Sequence, residues 1–176
     1  MADPFDTLGV EPRFDLDLAT VERRHRELSK ALHPDRYAGT AAAERRMALG
    51  RAIDVNEAWR IVKDPVRRAE ALLRRAGVDV SETAEPKASP ALLMEMMEAR
   101  EERSEAAGDK KLGQVAELGE RMRAREGAVV AALGAAFTEA GGERERMSAV
   151  LPKVGELRYV RRFLDEVSAI EERLSP

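Results

Sequence analysis

Residues 17–65 read DLATVERRHRELSKALHPDRYAGTAAAERRMALGRAIDVNEAWRIVKDP, and this stretch decides the fold. Asp17 is a helix-capping residue, and Leu18, Val21, Leu28 and Leu32 follow at helical spacing, with Ala31 nearby. Arg23, Arg24, Arg26 and Lys30 occupy the other faces of that helix. Pro34 disfavours helical geometry at the residue before it, so the helix stops at His33. The stretch from His33 to Thr40 reads as a loop. A second long helix is expected from about Ala41 to Val62, where Met47, Leu49, Ile53, Asn56 and Trp59 recur at helical spacing. Asp64-Pro65 ends it and opens another.

Outward from this stretch the pattern stays helical. Toward the N-terminus, Asp3-Pro4 caps and starts a short helix with Phe5 and Leu8 on one face and Gly9 at its end. On the other side, a helix over Val66–Ala76 carries Leu72 and Leu73 inward and closes at Gly77. Residues 78–89 contain Asp, Ser, Thr, Glu and Pro86, with Pro90 following at once, and read as an interdomain linker. This places one domain at 1–77 and another at 90–176. The second domain reads as three helices. The first, about Pro90–Glu105, holds Leu92, Leu93, Met94, Met96 and Met97. Along the second, about Lys110–Ala140, the seam steps by three and four residues through Leu112, Val115, Gly119, Met122, Glu126, Val129, Leu133 and Ala136. Its glycines weaken the helix and let a neighbour come close. After a Gly141-Gly142 turn, the last helix uses Val150, Val154, Leu157, Leu164, Val167 and Leu174, with Pro152 in its first turn or at a kink.

Composition supports an all-α protein. Of 176 residues, 44% are hydrophobic and 36% charged, so the chain can build a core and keep solvated charged faces. Val and Ile are sparse and rarely alternate with polar residues, which argues against a sheet. The net charge is -3, which excludes a nucleic-acid polycation. There is no cysteine, so disulfides and thiolate chemistry are excluded, and two histidines make a transition-metal site improbable. No cofactor is expected. The start MADPFDTLG shows no secretory pattern, and no apolar run reaches the length of a membrane span. A cytoplasmic protein is expected, with neither nucleic acid nor membrane as partner.

Function is carried by a coincidence at residues 17–64: a basic helix, then His33-Pro34-Asp35 at once, then a second long helix. At average residue usage a given tripeptide of this kind occurs by chance in about one chain in a hundred of this length. Alone, His-Pro-Asp reads equally well as a turn that stops a helix. Between these two helices it resembles the J-domain family, in which an antiparallel helical hairpin displays a His-Pro-Asp loop. That resemblance implies a co-chaperone that engages a DnaK/HscA-type chaperone ATPase and stimulates its ATP hydrolysis. The chemistry is readable: Pro34 fixes the exit of the chain, and Asp35 offers a carboxylate to an arginine of the partner. Arg23, Arg24, Arg26 and Lys30 offer positive charge to an acidic surface, although a solvated face is the usual fate of such a run.

Three further segments narrow the family. They are LHPDRYA at 32–38, NEAW at 56–59 followed by DPVRRAEALL at 64–73, and LLMEMMEAREE at 92–102. Together they resemble the HscB-type J-proteins of iron–sulfur cluster assembly over nearly the whole chain. The resemblance implies a J-domain followed by a C-terminal three-helix bundle, and an IscU-type scaffold protein as client. Matched residue by residue, Leu93, Met94 and Met97 correspond to apolar client contacts. Glu98, Arg100 and Glu101 correspond to the charges beside them, and Tyr159 to an aromatic of the last helix. The sequence departs from the family at Tyr159, where Phe is expected, and at Arg103, where an apolar residue is common. Five apolar residues within 92–97 exceed what one buried stripe needs, so some should face outward. The bland alternative keeps all five in the core. Lacking cysteine, this chain offers a cluster no thiolate, so the cluster stays on the client.

Other classes are weaker. No GxxxxGK[ST] loop occurs, and His25 and His33 lack ligand partners, so an enzyme is not expected. A J-protein serving another client and a structural helical interaction protein both remain as alternatives. The surface patches are also compatible with a homodimer.

Overall fold

The computed structural model describes residues 2–81 and 88–174. Among these residues the regular structure is helical throughout: α1 (Pro4–Leu8), α2 (Leu18–Ala31), a 3-10 turn (Pro34–Tyr37), α3 (Ala42–Lys63), α4 (Pro65–Arg75), α5 (Pro90–Gly108), α6 (Leu112–Ala140), α7 (Arg144–Ser148) and α8 (Leu151–Leu174). The chain divides into two compact units, Met1–Val78 and Asp79–Pro176. Six residues of the expected linker, 82–87, lie outside the described residues. No helix of the described residues is long and apolar enough to cross a membrane, and no cluster of potential metal ligands occurs among them.

In the first unit, α1, α2 and α4 pack around α3. Each start is capped as its sequence dictates. The Asp3 carboxylate accepts from the backbone N–H groups of Phe5 and Asp6, and Asp64 from those of Val66 and Arg67 at 2.9 and 3.0 Å. Gly77, in the left-handed region at φ 74°, closes α4, and the Val78 N–H donates to the Leu73 carbonyl at 2.9 Å. Buried Val78 thus seals the first unit. The buried side of α3 is Ala48, Val55, Ala58 and Val62. The apolar recurrence in the sequence marks a different set: Met47, Leu49 and Ile53 are 60, 55 and 60% exposed. Two apolar stripes compete on this helix, and the one rich in alanine wins because small side chains allow the close approach of α1 and α2. Leu18, expected on the apolar side of α2, is also partly outside, at 37% exposed.

An arginine sits in this core. Arg68 of α4 is buried, donates to the Val62 carbonyl at 2.7 Å and lies over the Phe14 ring at 4.7 Å. Burial holds its pKa below the usual guanidinium value, opposed by the charges of Asp15 and Asp64.

In the second unit α5, α6 and α8 form a three-helix bundle, with short α7 in the α6–α8 connection. One core cluster joins Leu92 and Met96 of α5, Val115, Leu118 and Met122 of α6, and Val160, Phe163 and Val167 of α8. A Cβ on Gly119 would stand 3.2 Å from Val167 Cγ1, so this glycine permits the close α6–α8 approach. Pro152 occupies the first turn of α8, one of the two expected placements. Ion pairs between helices line the bundle: Arg121 with Glu102, Arg161 with Glu126, and Arg125 with both Glu95 and Glu156.

Candidate functional site

The first candidate surface lies at the α2–α3 turn. Asp17 starts α2, accepting from the Ala19 N–H at 3.1 Å and from the Thr20 hydroxyl at 2.6 Å. The bond from Thr20 is the main cause that holds its carboxyl below the usual carboxylate value. Arg23 reaches back to the Thr20 hydroxyl at 2.8 Å, Arg26 pairs with Glu22 at 2.5 Å, and Arg24 approaches Glu27 at 3.5 Å. Lys30 makes no ion pair among the described residues. All four cations are exposed. The surface pairs on α2 leave them accessible, because each such pair contributes only about 0.3–0.5 kcal/mol.

His33-Pro34-Asp35 is a built turn rather than a slack loop. His33 is extended, at φ -61° and ψ 133°, and Pro34 then opens the 3-10 turn. His33 Nδ1 accepts from the Asp35 N–H at 3.3 Å, and the Arg36 N–H donates to the His33 carbonyl at 3.0 Å. The Asp35 carboxylate lies 3.4 Å from the same His33 Nδ1. The Tyr37 hydroxyl donates to the Ala31 carbonyl at 3.4 Å, tying the turn back to α2. The Asp35 side chain is 90% exposed, a carboxylate held out on a braced turn. Deeper in the hairpin, His25 stacks on Trp59 with centroids 5.5 Å apart, and its Nε2 lies 3.0 Å from Asn56 Oδ1. These contacts join α2 to α3.

The second candidate surface is on α5. Ser89 caps it, its hydroxyl accepting from the Leu92 N–H at 3.2 Å. Leu92 and Met96 turn into the core, while Leu93, Met94 and Met97 are 42, 64 and 68% exposed. The surplus of apolar residues at 92–97 is therefore shared between core and surface. Met94, Met97, Glu98, Arg100 and Glu101 line an open hollow of about 470 Å³. Glu98, Arg100 and Glu101 are exposed beside the methionines. Tyr159 of α8 is exposed but does not line that hollow. It lies seven residues before Glu166, which pairs with Arg103 of α5, so it belongs to the same edge of α8. Arg103 is mostly covered and lies over the Phe163 ring at 5.1 Å. Its stem and guanidinium plane thus cover an aromatic of the core where an apolar residue was expected.

Sequence reasoning missed the 3-10 turn, Arg68 and the outward placement of Leu49 and Ile53. A periodicity of four residues cannot reveal the first. The second carries a signal only in its place four residues after the Asp64-Pro65 cap.

An exposed His-Pro-Asp turn on a basic helical hairpin, followed by a separate three-helix bundle with an apolar surface, defines a J-domain co-chaperone with an adaptor domain. Comparison with known proteins makes this specific. Residues 3–71 match the DnaJ domain, and residues 88–168 match the HSCB C-terminal oligomerisation domain. The chain is 35% identical over 170 residues to a co-chaperone protein HscB homolog of Bordetella avium (strain 197N), covering 96% of this chain and 97% of the relative. A homolog of the same description in Burkholderia mallei (strain SAVP1) is also 35% identical, covering 97% of this chain and 94% of the relative. The solved structure of chaperone HscB from Vibrio cholerae superposes with a TM-score of 0.85 at 26% identity, covering 99% of this chain and 100% of that one. Human co-chaperone protein HscB, 20% identical, shares the fold with a TM-score of 0.84, covering 96% of this chain and 82% of that one. The chain belongs to the HscB family of J-domain co-chaperones, which serves iron–sulfur cluster assembly.

Proposed function

We propose that the chain acts through two separate surfaces on two different proteins. His33, Pro34 and Asp35, with Arg23, Arg24, Arg26 and Lys30, engage a DnaK/HscA-type chaperone and stimulate its ATPase. Leu93, Met94 and Met97, with Glu98, Arg100, Glu101 and the nearby Tyr159, hold an IscU-type scaffold and present it to that chaperone. The division follows the domain order, a J-domain at 1–77 and a client-binding bundle at 90–176, joined by the linker at 78–89.

The observation that carries this reading is the Asp35 side chain, 90% exposed on a turn closed by its own backbone N–H to His33. A carboxylate fixed in this way reaches an arginine of a partner at little cost in ordering. The basic side chains of α2 steer an acidic ATPase surface toward it. At the second surface, methionine suits a client contact because its side chain is flexible and polarisable. The chain biases a conformational equilibrium of the chaperone and performs no bond chemistry itself. It is cytoplasmic. Self-association is an additional property, supported by the likeness of residues 88–168 to the HSCB C-terminal oligomerisation domain; sedimentation reads it.

The test is steady-state ATP hydrolysis by a DnaK/HscA-type chaperone. Wild-type protein accelerates it, and His33→Gln does not. Equal stimulation by both contradicts the reading.

A further inference from the structure

α3 places its larger apolar residues outside and its smaller ones inside. Ala48 and Ala58 are in the core, while Leu49 and Ile53 are 55 and 60% exposed. A single exposed leucine needs no explanation. Leu49 and Ile53 are four residues apart on one stripe, and Asn56 continues it. Asn56 lies against His25 of α2, and His25 in turn contacts Ser29 at 3.3 Å. The stripe therefore borders the groove between α2 and α3. It runs toward the end of the hairpin that carries the His33-Pro34-Asp35 turn, which itself contacts α3. Arg46, exposed, and Arg60, exposed but paired with Glu57 at 3.4 Å, bracket the apolar pair on the same stripe. Met47 points to another side of α3 and does not belong to this surface.

We propose that Leu49 and Ile53 form an apolar contact for the chaperone ATPase, continuous with the turn and the basic face of α2. This rests on the reading of that turn given above. Two features select the chaperone as occupant. The pair adjoins the surface assigned to it, so a protein seated on Asp35 and Arg26 extends over the groove. Arg46 carries the same sign as Arg23, Arg24, Arg26 and Lys30, so one acidic partner meets all of them. The apolar pair contributes to how tightly the chaperone is held, and the Asp35 turn to whether its ATPase responds.

The experiment titrates the full chain into a DnaK/HscA-type chaperone and follows ATP hydrolysis. The expected result for Leu49→Ala with Ile53→Ala is an increase of about tenfold in the half-stimulating concentration, with maximal stimulation and scaffold binding retained. Both side chains are exposed and alanine favours the helix, so the fold persists; Ile53→Glu is the second variant and raises that concentration further. An unchanged half-stimulating concentration in both variants, with Asp35→Asn inactive, overturns this inference alone. If wild type does not stimulate at all, the underlying reading fails with it. Dissociation of a wild-type dimer by the double substitution, with stimulation unaltered, assigns the pair to a second copy and also overturns it.

Discussion

The two candidate surfaces are encoded in opposite ways. The turn at 33–35 is short, polar and contiguous, and its backbone bonds fix it. The surface on α5 is apolar, spread over exposed turns of a helix, and made of side chains with several free torsions. One offers a charge in a defined place; the other offers an adaptable area. A surface of the first kind fails when a single group is lost, while the second loses strength by increments.

The largest graded effect attacks the second surface at its centre. Leu93→Ala with Met97→Ala should lower affinity for an IscU-type scaffold by about 2–3 kcal/mol, some 30- to 150-fold, while stimulation of the chaperone without scaffold is unaltered. Calorimetry of the scaffold complex checks it; unchanged affinity removes α5 from the client site. A second experiment concerns the platform rather than either surface. Arg68→Ala strips the Val62 carbonyl and the Phe14 ring of a buried partner. Urea unfolding should show the first unit destabilised by about 2–3 kcal/mol. Loss of under 0.5 kcal/mol would show that Arg68 does not brace the hairpin.

Ionic strength separates the surfaces more gently. Raising salt from about 0.05 to 0.3 M shortens the Debye length from roughly 14 to 6 Å. The half-stimulating concentration for the chaperone should rise several-fold, while scaffold binding through Leu93 and Met97 changes less than twofold. Equal salt sensitivity would erase the distinction. The smallest expected effect lies in α6: Gly127 has open space where a Cβ would stand, so Gly127→Ala should stabilise the chain by up to about 1 kcal/mol in thermal unfolding. Gly119→Ala forces Val167 to move and should gain less.

How much of this was legible in the sequence follows from the same contrast. Caps at Asp3, Asp17 and Asp64, the stop at Pro34 and the turn at Gly141 act locally, so reading them one by one recovers the helix order. The tripeptide was legible because its meaning depends on three adjacent residues and two flanking helices. Which stripe of α3 is buried was not legible. That choice depends on how closely α1 and α2 approach, and Ala48 and Ala58 carry little hydrophobic signal. α7 has five residues, too few for a period. Phe163 and Leu118 lie in the bundle core although the seam read from spacing omitted them, since neighbouring positions fit the same spacing. Arg103 read as a polar departure, but only its place over Phe163 explains how the bundle accommodates it.

The central claim is that one chain couples a braced carboxylate at Asp35 to the ATPase of a second protein. Single-turnover ATP hydrolysis by a DnaK/HscA-type chaperone, with saturating wild type or Asp35→Asn, tests it most directly. The account predicts acceleration by wild type and a rate with Asp35→Asn within about twofold of the chaperone alone, although the substitution changes one exposed group and leaves the helical signal intact. Acceleration by Asp35→Asn equal to that by wild type would contradict it.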